Sequence, residues 1–291
     1  MAGVATAPLA AAVSEAGGLG MLGVGRLGAD ALTTMIDEAE AATDRSIGAG
    51  FITEFADEAA LQVAFERLSV VEFFWGWPDP ALVPDGPVVG WQVGSVDAAR
   101  AAVDAGCRYV AVQGLEAGGH VRGEVELDHL LADVRDALGA DIVVAAGGGI
   151  GTAGDVRRVL AAGADAVRIG TRFVATHESA AHDRYVELLA GATDADTELS
   201  EAFWVGWPEA LHRVLTSAVE ASGDADDVIG SMPGPGDERR IVPRFFVSPP
   251  TRAYDGLIDA MALYAGTGST GAVTGRQSAA EVVADLLGDG V

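Results

Sequence analysis

The sequence predicts an α/β protein built on a parallel sheet, in the arrangement of a (β/α)8 barrel that lacks one strand. Short apolar runs alternate with amphipathic, alanine-rich segments as far as Ile169, and glycine, proline or polar turns separate them. Near-continuous apolar strands separated by helices are typical of a parallel sheet covered on both faces. Seven strand–helix units can be recognised, whereas a complete barrel of this type has eight.

Each predicted strand is a short apolar run that ends in a turn, and each predicted helix has apolar residues at helical spacing. The strands are Leu19–Val24, Ile47–Ile52, Val70–Trp75, Val88–Val93, Tyr109–Val112, Ile142–Ala146 and Ala166–Ile169. The helices are Pro8–Ala16, Asp30–Thr43, Ala56–Arg67, Ser95–Ala105, Asp128–Leu138 and Thr152–Ala162. The chain begins Met1-Ala2-Gly3 and enters the first helix directly, so we expect the first barrel strand to be missing.

The alternation of strands and helices ends near Gly191. Thr193–Ser200 is polar and acidic, and Met232–Asp237 is rich in glycine and proline, as loops are. We predict helices at Trp207–Ala221 and Gly256–Ala265. We therefore predict a barrel over residues 1–191 and an inserted, mainly helical subdomain or lid over residues 192–251. C-terminal helices over residues 252–291 are expected to close on the barrel, and the last of them is Ala279–Leu287.

Composition and charge exclude several classes of function. The 291 residues are 49% hydrophobic, which allows a large core, and the single cysteine, Cys107, cannot form an internal disulfide. The net charge is −25 and all 18 basic residues are arginine, which disfavours nucleic acid because phosphate binding needs a basic face. Neither a signal peptide nor an apolar run of the ~20 residues of a membrane span is visible. We expect a cytoplasmic protein that binds neither nucleic acid nor membrane, and a homo-oligomer is left open.

A glycine-rich segment follows the predicted strand Ile142–Ala146. It contains the spacing Gly-x-Gly-x-x-Gly from Gly149 to Gly154. The next strand runs into Arg168–Thr171 without the acidic residue that a dinucleotide-binding site requires. A phosphate cradle is the better explanation, because the loops after the last two strands of barrels commonly bind phosphate through backbone N–H groups. Glycines that only form tight turns are the alternative.

The strand Tyr109–Val112 runs into a glycine-rich turn that carries Gln113, Glu116 and His120. Histidine transfers protons readily near neutral pH, and parallel α/β proteins carry their catalytic groups at strand ends. His120 is therefore the candidate catalytic residue, with a purely structural histidine as the alternative. Glu116 is better explained as a carboxylate that holds a backbone turn than as a second acid–base group. We find no metal-ligand spacing, and we interpret the other histidines, including His212, as surface residues.

Together these motifs resemble the nitronate monooxygenase family, formerly called 2-nitropropane dioxygenases, over nearly the whole chain. The most specific part of the resemblance is Glu116-Ala117-Gly118-Gly119-His120 combined with Gly170-Thr171-Arg172-Phe173. Gly50 departs from the pattern, because many members have an FMN-contacting asparagine there. The other matching motifs are Glu15–Gly20, Gln113-Gly114, Ala145–Gly148, Glu178-Ser179, Gly206–Pro208, His212–Leu215 and Ala260–Gly266.

The resemblance implies a TIM barrel with a small extra domain and non-covalently bound FMN, and it implies no metal. By position, His120 would be the catalytic base, which takes the α-proton of a nitroalkane or orients the nitronate. The implied reaction is FMN-dependent oxidation of alkyl nitronates with O2 to carbonyl compounds and nitrite. The implied FMN contacts are Gln113, Gly118, Gly148, Gly149, Arg168, Ile169, Gly170 and Thr171.

Two other functions stay open at the level of the sequence. FMN-dependent enoyl-acyl-carrier-protein reductases share these motifs, but they must also accept NAD(P)H and an acyl-pantetheine arm. A net charge of −25 disfavours docking of an acidic carrier protein. A flavin-binding protein without turnover is the third hypothesis, because a barrel without its first strand has an incomplete flavin site.

Overall fold

A curled, seven-stranded parallel sheet forms the frame of the protein. The computed structural model describes residues 1–234, 236 and 238–288. The strands of the sheet neighbour one another in chain order, and only the short strand β6 (Gly119–His120) leaves this order to join a different sheet. The strands of the main sheet are β1 (Gly20–Gly23), β2 (Ile47–Ile52), β3 (Val70–Phe74), β4 (Val88–Val93), β5 (Tyr109–Gln113), β7 (Val143–Gly147) and β8 (Ala166–Arg168).

Helices connect these strands and cover the outer face of the sheet. Ser95 and Thr152 begin two of the helices by accepting hydrogen bonds from the backbone N–H groups of Ala98 and Asp155, which is the usual N-cap arrangement. The strands and helices predicted for this region are confirmed, with small shifts at their ends. The helices are α1 (Ala7–Glu15), α2 (Ala29–Ala42), α3 (Glu58–Arg67), α4 (Val96–Asp104), α5 (Leu127–Leu138) and α6 (Ala153–Ala161).

The main sheet is open rather than closed. β1 and β8 lie at its two edges and do not pair with each other in the described part of the chain. Ala166 and Arg168 on β8 are accordingly exposed. The predicted fold class, a barrel-type α/β protein with seven of the eight strands, is confirmed.

The region after β8 contains more strand than its sequence pattern predicts. Two short helices come first, α7 (Thr171–Val174) and α8 (Asp183–Ala190). Two antiparallel sheets follow, with the strand orders β6-β10-β9 and β12-β11-β13. The further elements are β9 (Thr197–Ser200), β10 (His212–Leu215), α9 (Thr216–Asp224), β11 (Val228–Pro233), β12 (Arg239–Pro243), β13 (Asp255–Gly256) and α10 (Ala279–Leu287).

The inserted subdomain is therefore mixed rather than mainly helical. Trp207–Ala221, expected as one helix, is divided between strand β10 and helix α9, and Gly256–Ala265 contains only a short 3₁₀ turn at Ile258–Ala260. Short apolar segments do not distinguish a helix from a strand, and here β6 and β9 supply antiparallel partners that favour the strand. Of the predicted loop Met232–Asp237, Pro235 and Asp237 lie outside the described residues, as do the last residues of the C-terminal part, 289–291.

Two hydrophobic cores support the fold. The first lies between the main sheet and its helices and includes Val282 and Leu286 of α10, the predicted C-terminal helix. The second joins Tyr185 of α8 to Phe203 and Leu215, so α8 packs with the residues that follow it, although it precedes the predicted limit at residue 191. The domain limits themselves stay predictions. Within the described residues, no helix is both long and apolar enough to cross a membrane.

Gly90 on β4 makes room for the ring of Tyr109 on the adjacent strand. A Cβ at Gly90 would lie 2.0 Å from Cζ of Tyr109. We expect Gly90→Ala to lower the free energy of unfolding by ~1–3 kcal/mol, the usual cost of overpacking a core, as measured by urea denaturation. The control is Gly223→Ala in α9, where a Cβ would meet no atom within 4 Å and stability should hold or rise slightly. Equal losses in the two variants would contradict this account.

Candidate active site

His120 lies on a short strand rather than in a free loop. β6 pairs with β10, so that His120 stands opposite His212 and Gly119 opposite Arg213. The guanidinium of Arg213 also donates two hydrogen bonds to the carbonyl of Leu115, at 3.2 and 3.0 Å. The turn between β5 and β6 is therefore held by the subdomain.

Gln113 holds the same turn from the side of the main sheet. Its side-chain amide donates to the carbonyl of His120 (2.8 Å), and its Oε1 accepts from the backbone N–H of Arg122 (3.0 Å). The side chain is buried. Gln113 was predicted to contact FMN. In this structure its amide binds the backbone of His120 and Arg122, so it supports the backbone of the candidate base.

The imidazole of His120 is enclosed by aromatic rings. It stacks on Trp207, with 4.0 Å between ring centroids and 20° between planes, and Trp75 and Tyr264 lie at centroid distances of 6.1 and 5.5 Å. Its Nε2 is buried and has no hydrogen-bond partner among the described residues. Buried polar atoms nearly always have a partner, so a free ring nitrogen in this position points to a site for chemistry or for a ligand.

The electrostatics of the pocket keep His120 neutral. Burial, and next the neighbouring His212, lower the pKa of His120 to about 3, because a low-dielectric environment penalises the charged form. At neutral pH the ring is therefore an uncharged imidazole. This is the form that can accept a proton or a hydrogen bond.

His212 is the side chain that the sequence interpretation misplaced most clearly. It is completely buried, not on the surface. Its Nδ1–H donates to the carbonyl of Ala210 (2.9 Å), and its Nε2 accepts from the backbone N–H of Phe203 (3.3 Å). Both nitrogens are satisfied and burial lowers its pKa. Its place beside His120 follows from the β6–β10 register, which no local pattern reveals.

Two tryptophans of the pocket were not identified from the sequence. The tripeptide Gly-Trp-Pro occurs at residues 76–78 and 206–208, yet Trp77 is exposed and it is Trp75 that lies next to His120 and Trp207. Trp75 adopts a left-handed backbone conformation, with φ of 72°. The hydroxyl of Thr53 holds this turn by donating to the carbonyls of Phe74 and Trp75, at 2.8 and 2.6 Å. A strained, well-supported residue beside the candidate base is typical of a functional site.

An arginine fastens the segment that carries Trp207. Arg26 donates from Nη2 to the carbonyl of Gly206 (2.6 Å), and its guanidinium lies 3.4 Å from the ring centroid of Phe55. Phe55 in turn meets Trp207 edge to face, at 5.0 Å. The β1–α2 loop thus keeps Trp207 over His120.

Gly118 and the predicted phosphate-binding glycines after β7 pack closely against other parts of the chain. A Cβ at Gly118 would lie 2.6 Å from the backbone nitrogen of Gly266, and one at Gly149 would lie 3.1 Å from Cβ of Glu116. Gly148 and Gly149 have positive φ values of 114° and 67°. The backbone N–H groups before α6 already have a partner, because Gly151 and Thr152 both donate to the carboxylate of Asp155.

Glu116 holds a backbone turn, as the sequence interpretation favoured. Both of its carboxylate oxygens accept from the backbone N–H of Leu127, at 3.2 and 3.0 Å. Leu127 is the first residue of α5, so the carboxylate lies at the positive end of that helix. This contact fixes the turn before His120.

The other predicted phosphate-binding residues, Gly170-Thr171 after β8, are partly exposed at Gly170 and buried at Thr171. Gly170 is half-buried, and the atom nearest to a Cβ there would be Sδ of Met1 at 3.5 Å, an ordinary contact. α7 starts at Thr171 without a side-chain cap, while the hydroxyl of Thr171 accepts from the backbone N–H of Gly266 (3.1 Å). Ile169 packs on the barrel core, and Arg168 pairs with Glu72 at 2.7 Å. Of the predicted FMN contacts, these four form a continuous stretch at the open edge of the sheet.

A comparison with protein-family models identifies the chain. The model described as nitronate monooxygenase matches residues 1–69 and 62–289. The protein belongs to the nitronate monooxygenase family, whose members are flavin-dependent oxidoreductases that act on small molecules.

Curated relatives and solved structures are similar to most of the chain. A nitronate monooxygenase of Pseudomonas aeruginosa is 31% identical over 251 residues, 69% of this chain and 71% of that protein. A structure of nitroalkane oxidase from Streptomyces ansochromogenes has a TM-score of 0.77 and 28% identity, and the match covers 98% of this chain and 92% of that one. A Mycobacterium tuberculosis protein named (3aS,4S,5R,7aS)-5-hydroxy-7a-methyl-1-oxo-octahydro-1H-indene-4-carboxyl-CoA dehydrogenase is 34% identical over 231 residues, 76% of this chain but only 62% of that protein.

The buried His120 should make stability depend on pH. Its pKa is 6.5 in the unfolded chain and about 3 in the folded protein. Between these values the unfolded state binds more protons, so stability is complete above pH ~6.5 and falls toward pH ~3, by up to ~1.4 kcal/mol per pH unit. Urea denaturation at several pH values measures this slope, and His120→Gln should flatten it. Identical slopes for the wild type and His120→Gln would show that His120 is not buried in the neutral form.

Proposed function

We propose that this protein oxidises alkyl nitronates, with FMN as cofactor and O2 as co-substrate, to carbonyl compounds and nitrite. The observation that carries the proposal is the buried Nε2 of His120, which has no partner among the described residues; His120 lies on the short strand that follows the carboxyl end of β5. Membership of the nitronate monooxygenase family supports this chemistry. The proposal includes a cytoplasmic location; the oligomeric state is left open.

The residues at the end of β8 fit a flavin nucleotide. The uncapped backbone at Gly170 and Thr171 can donate to a phosphate, and the partly exposed guanidinium of Arg168 adds positive charge beside it. Gly148 and Gly149 are partly exposed and pack beside the turn that leads to His120, where they would contact the flavin ring. Bound FMN would supply the electron acceptor that none of the twenty amino acid side chains provides.

His120 would act on the α-proton of a neutral nitroalkane. Its neutral imidazole accepts the proton at Nε2, and the electron pair of the C–H bond stays on the substrate as the nitronate. The pKa of about 3 in the closed pocket disfavours the imidazolium, but a nitronate formed next to the ring carries the opposite charge and raises that pKa. Proton transfer and formation of the anion therefore support each other.

The residues around His120 orient the ring and exclude water. Gln113 fixes the backbone at His120, and the strand pairing with His212 fixes the direction of its side chain. Trp207 covers one face of the imidazole and shields the ring from water. A dry pocket strengthens the interaction between the imidazolium and the nitronate.

Replacing His120 separates its two possible contributions. His120→Asn should lose ~10²–10⁴-fold in kcat/KM on neutral nitroalkanes, since a well-placed general base contributes about that much. It should lose much less on pre-formed nitronates, which need no deprotonation. Steady-state oxygen consumption with both substrate forms measures the difference. Equal losses on both forms would mean that His120 positions the nitro group instead, and unchanged rates would leave it a purely structural role.

Adding bulk at Gly170 tests the flavin site. The structure has room for a small side chain there, so Gly170→Val should fold, while its side chain blocks close approach of a phosphate to the backbone. We expect it to purify with little flavin, as measured by absorbance and by the phosphorus content of the released cofactor. Gly28→Val, at a position with no atom within 4 Å of a Cβ, should keep its flavin. A folded Gly170→Val with full flavin would place the phosphate elsewhere.

Reduction of the carbon–carbon double bond of an enoyl-acyl-carrier-protein, with NAD(P)H as donor, is the second candidate function. The sequence resemblance to enoyl-acyl-carrier-protein reductases favours it, and the relative named as a carboxyl-CoA dehydrogenase, at 34% identity, carries an acyl thioester substrate in its name. Anaerobic mixing of the flavin-loaded protein with a nitronate or with NADPH decides between the candidates. Bleaching of the flavin by the nitronate alone supports the proposal, and bleaching by NADPH alone supports the enoyl reductase.

A further inference from the structure

Three polar side chains meet inside the curled sheet, apart from the His120 pocket. Tyr109 on β5 donates its hydroxyl to Oε2 of Glu72 on β3 (3.3 Å), and Arg168 on β8 donates its Nε–H to Oε1 of the same carboxylate (2.7 Å). Glu72 is 4% exposed. One buried carboxylate thus links three strands, and the chemistry proposed for His120 makes no use of it.

The sheet is shaped around this carboxylate. Glu72 and Tyr109 belong to one row across the sheet, with Gly90 of β4 between them. The Tyr109 ring occupies the space that a side chain at position 90 would take. Burial, and next the charge of Glu72, raise the pKa of Tyr109 far above its ordinary value, so its hydroxyl remains a donor. Hydrogen bonds to both oxygens offset the cost of burying the carboxylate.

Arg168 uses only one edge of its guanidinium in this cluster. Its hydrogen bond within the described residues is the one from Nε to Glu72, and its side chain is 39% exposed. Arg172, four residues further on, is 6% exposed and donates through Nη1 and Nη2 to Gly151, Gln277 and Asp285. Arg172 therefore has a structural role, whereas the Nη groups of Arg168 are available to a ligand.

Arg168 is the last residue of β8, two residues before Gly170. Ile169 packs on the core between the sheet and its helices, and Gly170 is half-buried. Gly170 precedes the uncapped start of α7. A guanidinium offers N–H groups in a planar fork that matches a phosphate.

We propose that Glu72 is a positioning residue: it holds Arg168 through Nε so that the Nη groups receive an oxygen of the phosphate of the bound flavin nucleotide. Tyr109 supports the arrangement by engaging the second carboxylate oxygen. The inference rests on the proposed FMN site. The inference predicts the direction in which Glu72 changes the affinity for FMN. A carboxylate near a phosphate would weaken binding through its charge alone, whereas a carboxylate that positions Arg168 strengthens binding.

Binding of FMN and of riboflavin, which lacks the phosphate, tests the inference. Protein stripped of flavin is titrated with each compound, and the quenching of flavin fluorescence gives both dissociation constants. We expect Glu72→Gln to weaken FMN binding about 10-fold, as expected for loss of a charge-assisted hydrogen bond, and to leave riboflavin binding unchanged. The control Glu220→Gln changes the net charge equally at an exposed position on α9 and should alter neither constant.

Two results for Glu72→Gln would overturn the inference. Tighter FMN binding by Glu72→Gln would show that Glu72 acts through its charge, and equal weakening of FMN and riboflavin would show a general loss of structure; either result overturns the inference. Arg168→Lys keeps the positive charge but cannot offer a guanidinium fork, so it should also lose FMN selectively, and it tests the inference if Glu72→Gln does not fold. Wild-type protein that binds neither flavin would overturn the proposed function as well, whereas flavin binding that both variants retain would overturn this inference alone.

Discussion

The pairing of β6 with β10 is the constraint on which the candidate site depends. It joins the turn after β5 to the three-stranded sheet of β6, β10 and β9 and sets His120 opposite His212. A slip of one residue in this ladder would turn His120 toward the opposite face of the strand. The backbone pairing and the amide of Gln113 fix the position of His120 without a hydrogen bond to its ring. The Nε2 of His120 therefore has no partner among the described residues.

The surroundings of His120 are uncharged, whereas Glu72 and Arg168 form a separate, charged cluster. Around His120 lie aromatic rings and the second, uncharged histidine, and burial is the main cause of its low pKa. The ion pair of Glu72 and Arg168 lies elsewhere, inside the curled sheet, and joins the inner strand β3 to the edge strand β8. Proton transfer benefits from a dry, uncharged environment, whereas a phosphate needs fixed positive charge. In a protein with a net charge of −25, such a local positive charge would favour the proposed anionic cofactor.

The main sheet, its connecting helices and the candidate base could all be derived from the sequence. The strands are apolar runs of near-uniform pattern, the helices have amphipathic periodicity, and a histidine after two glycines at a strand end stands out chemically. The partners of that histidine could not be derived. Gln113 carries no local sign that its amide spans His120 and Arg122, and Trp75 shares no spacing with Trp207 that would indicate contact.

The elements that the sequence predicts and the contacts that it does not predict differ in how far apart the interacting residues are in the chain. Periodicity, turn residues and capping are properties of a few neighbouring residues, so the chain specifies its parallel sheet, α1–α6 and α10 locally. Whether His212 lies in a helix on the surface or in a buried strand depends on the backbone partners that β6 and β9 offer. The ion pair of Glu72 with Arg168 likewise joins residues 96 positions apart. Such contacts form between segments that are distant in sequence, and only the packing of the whole sheet brings them together.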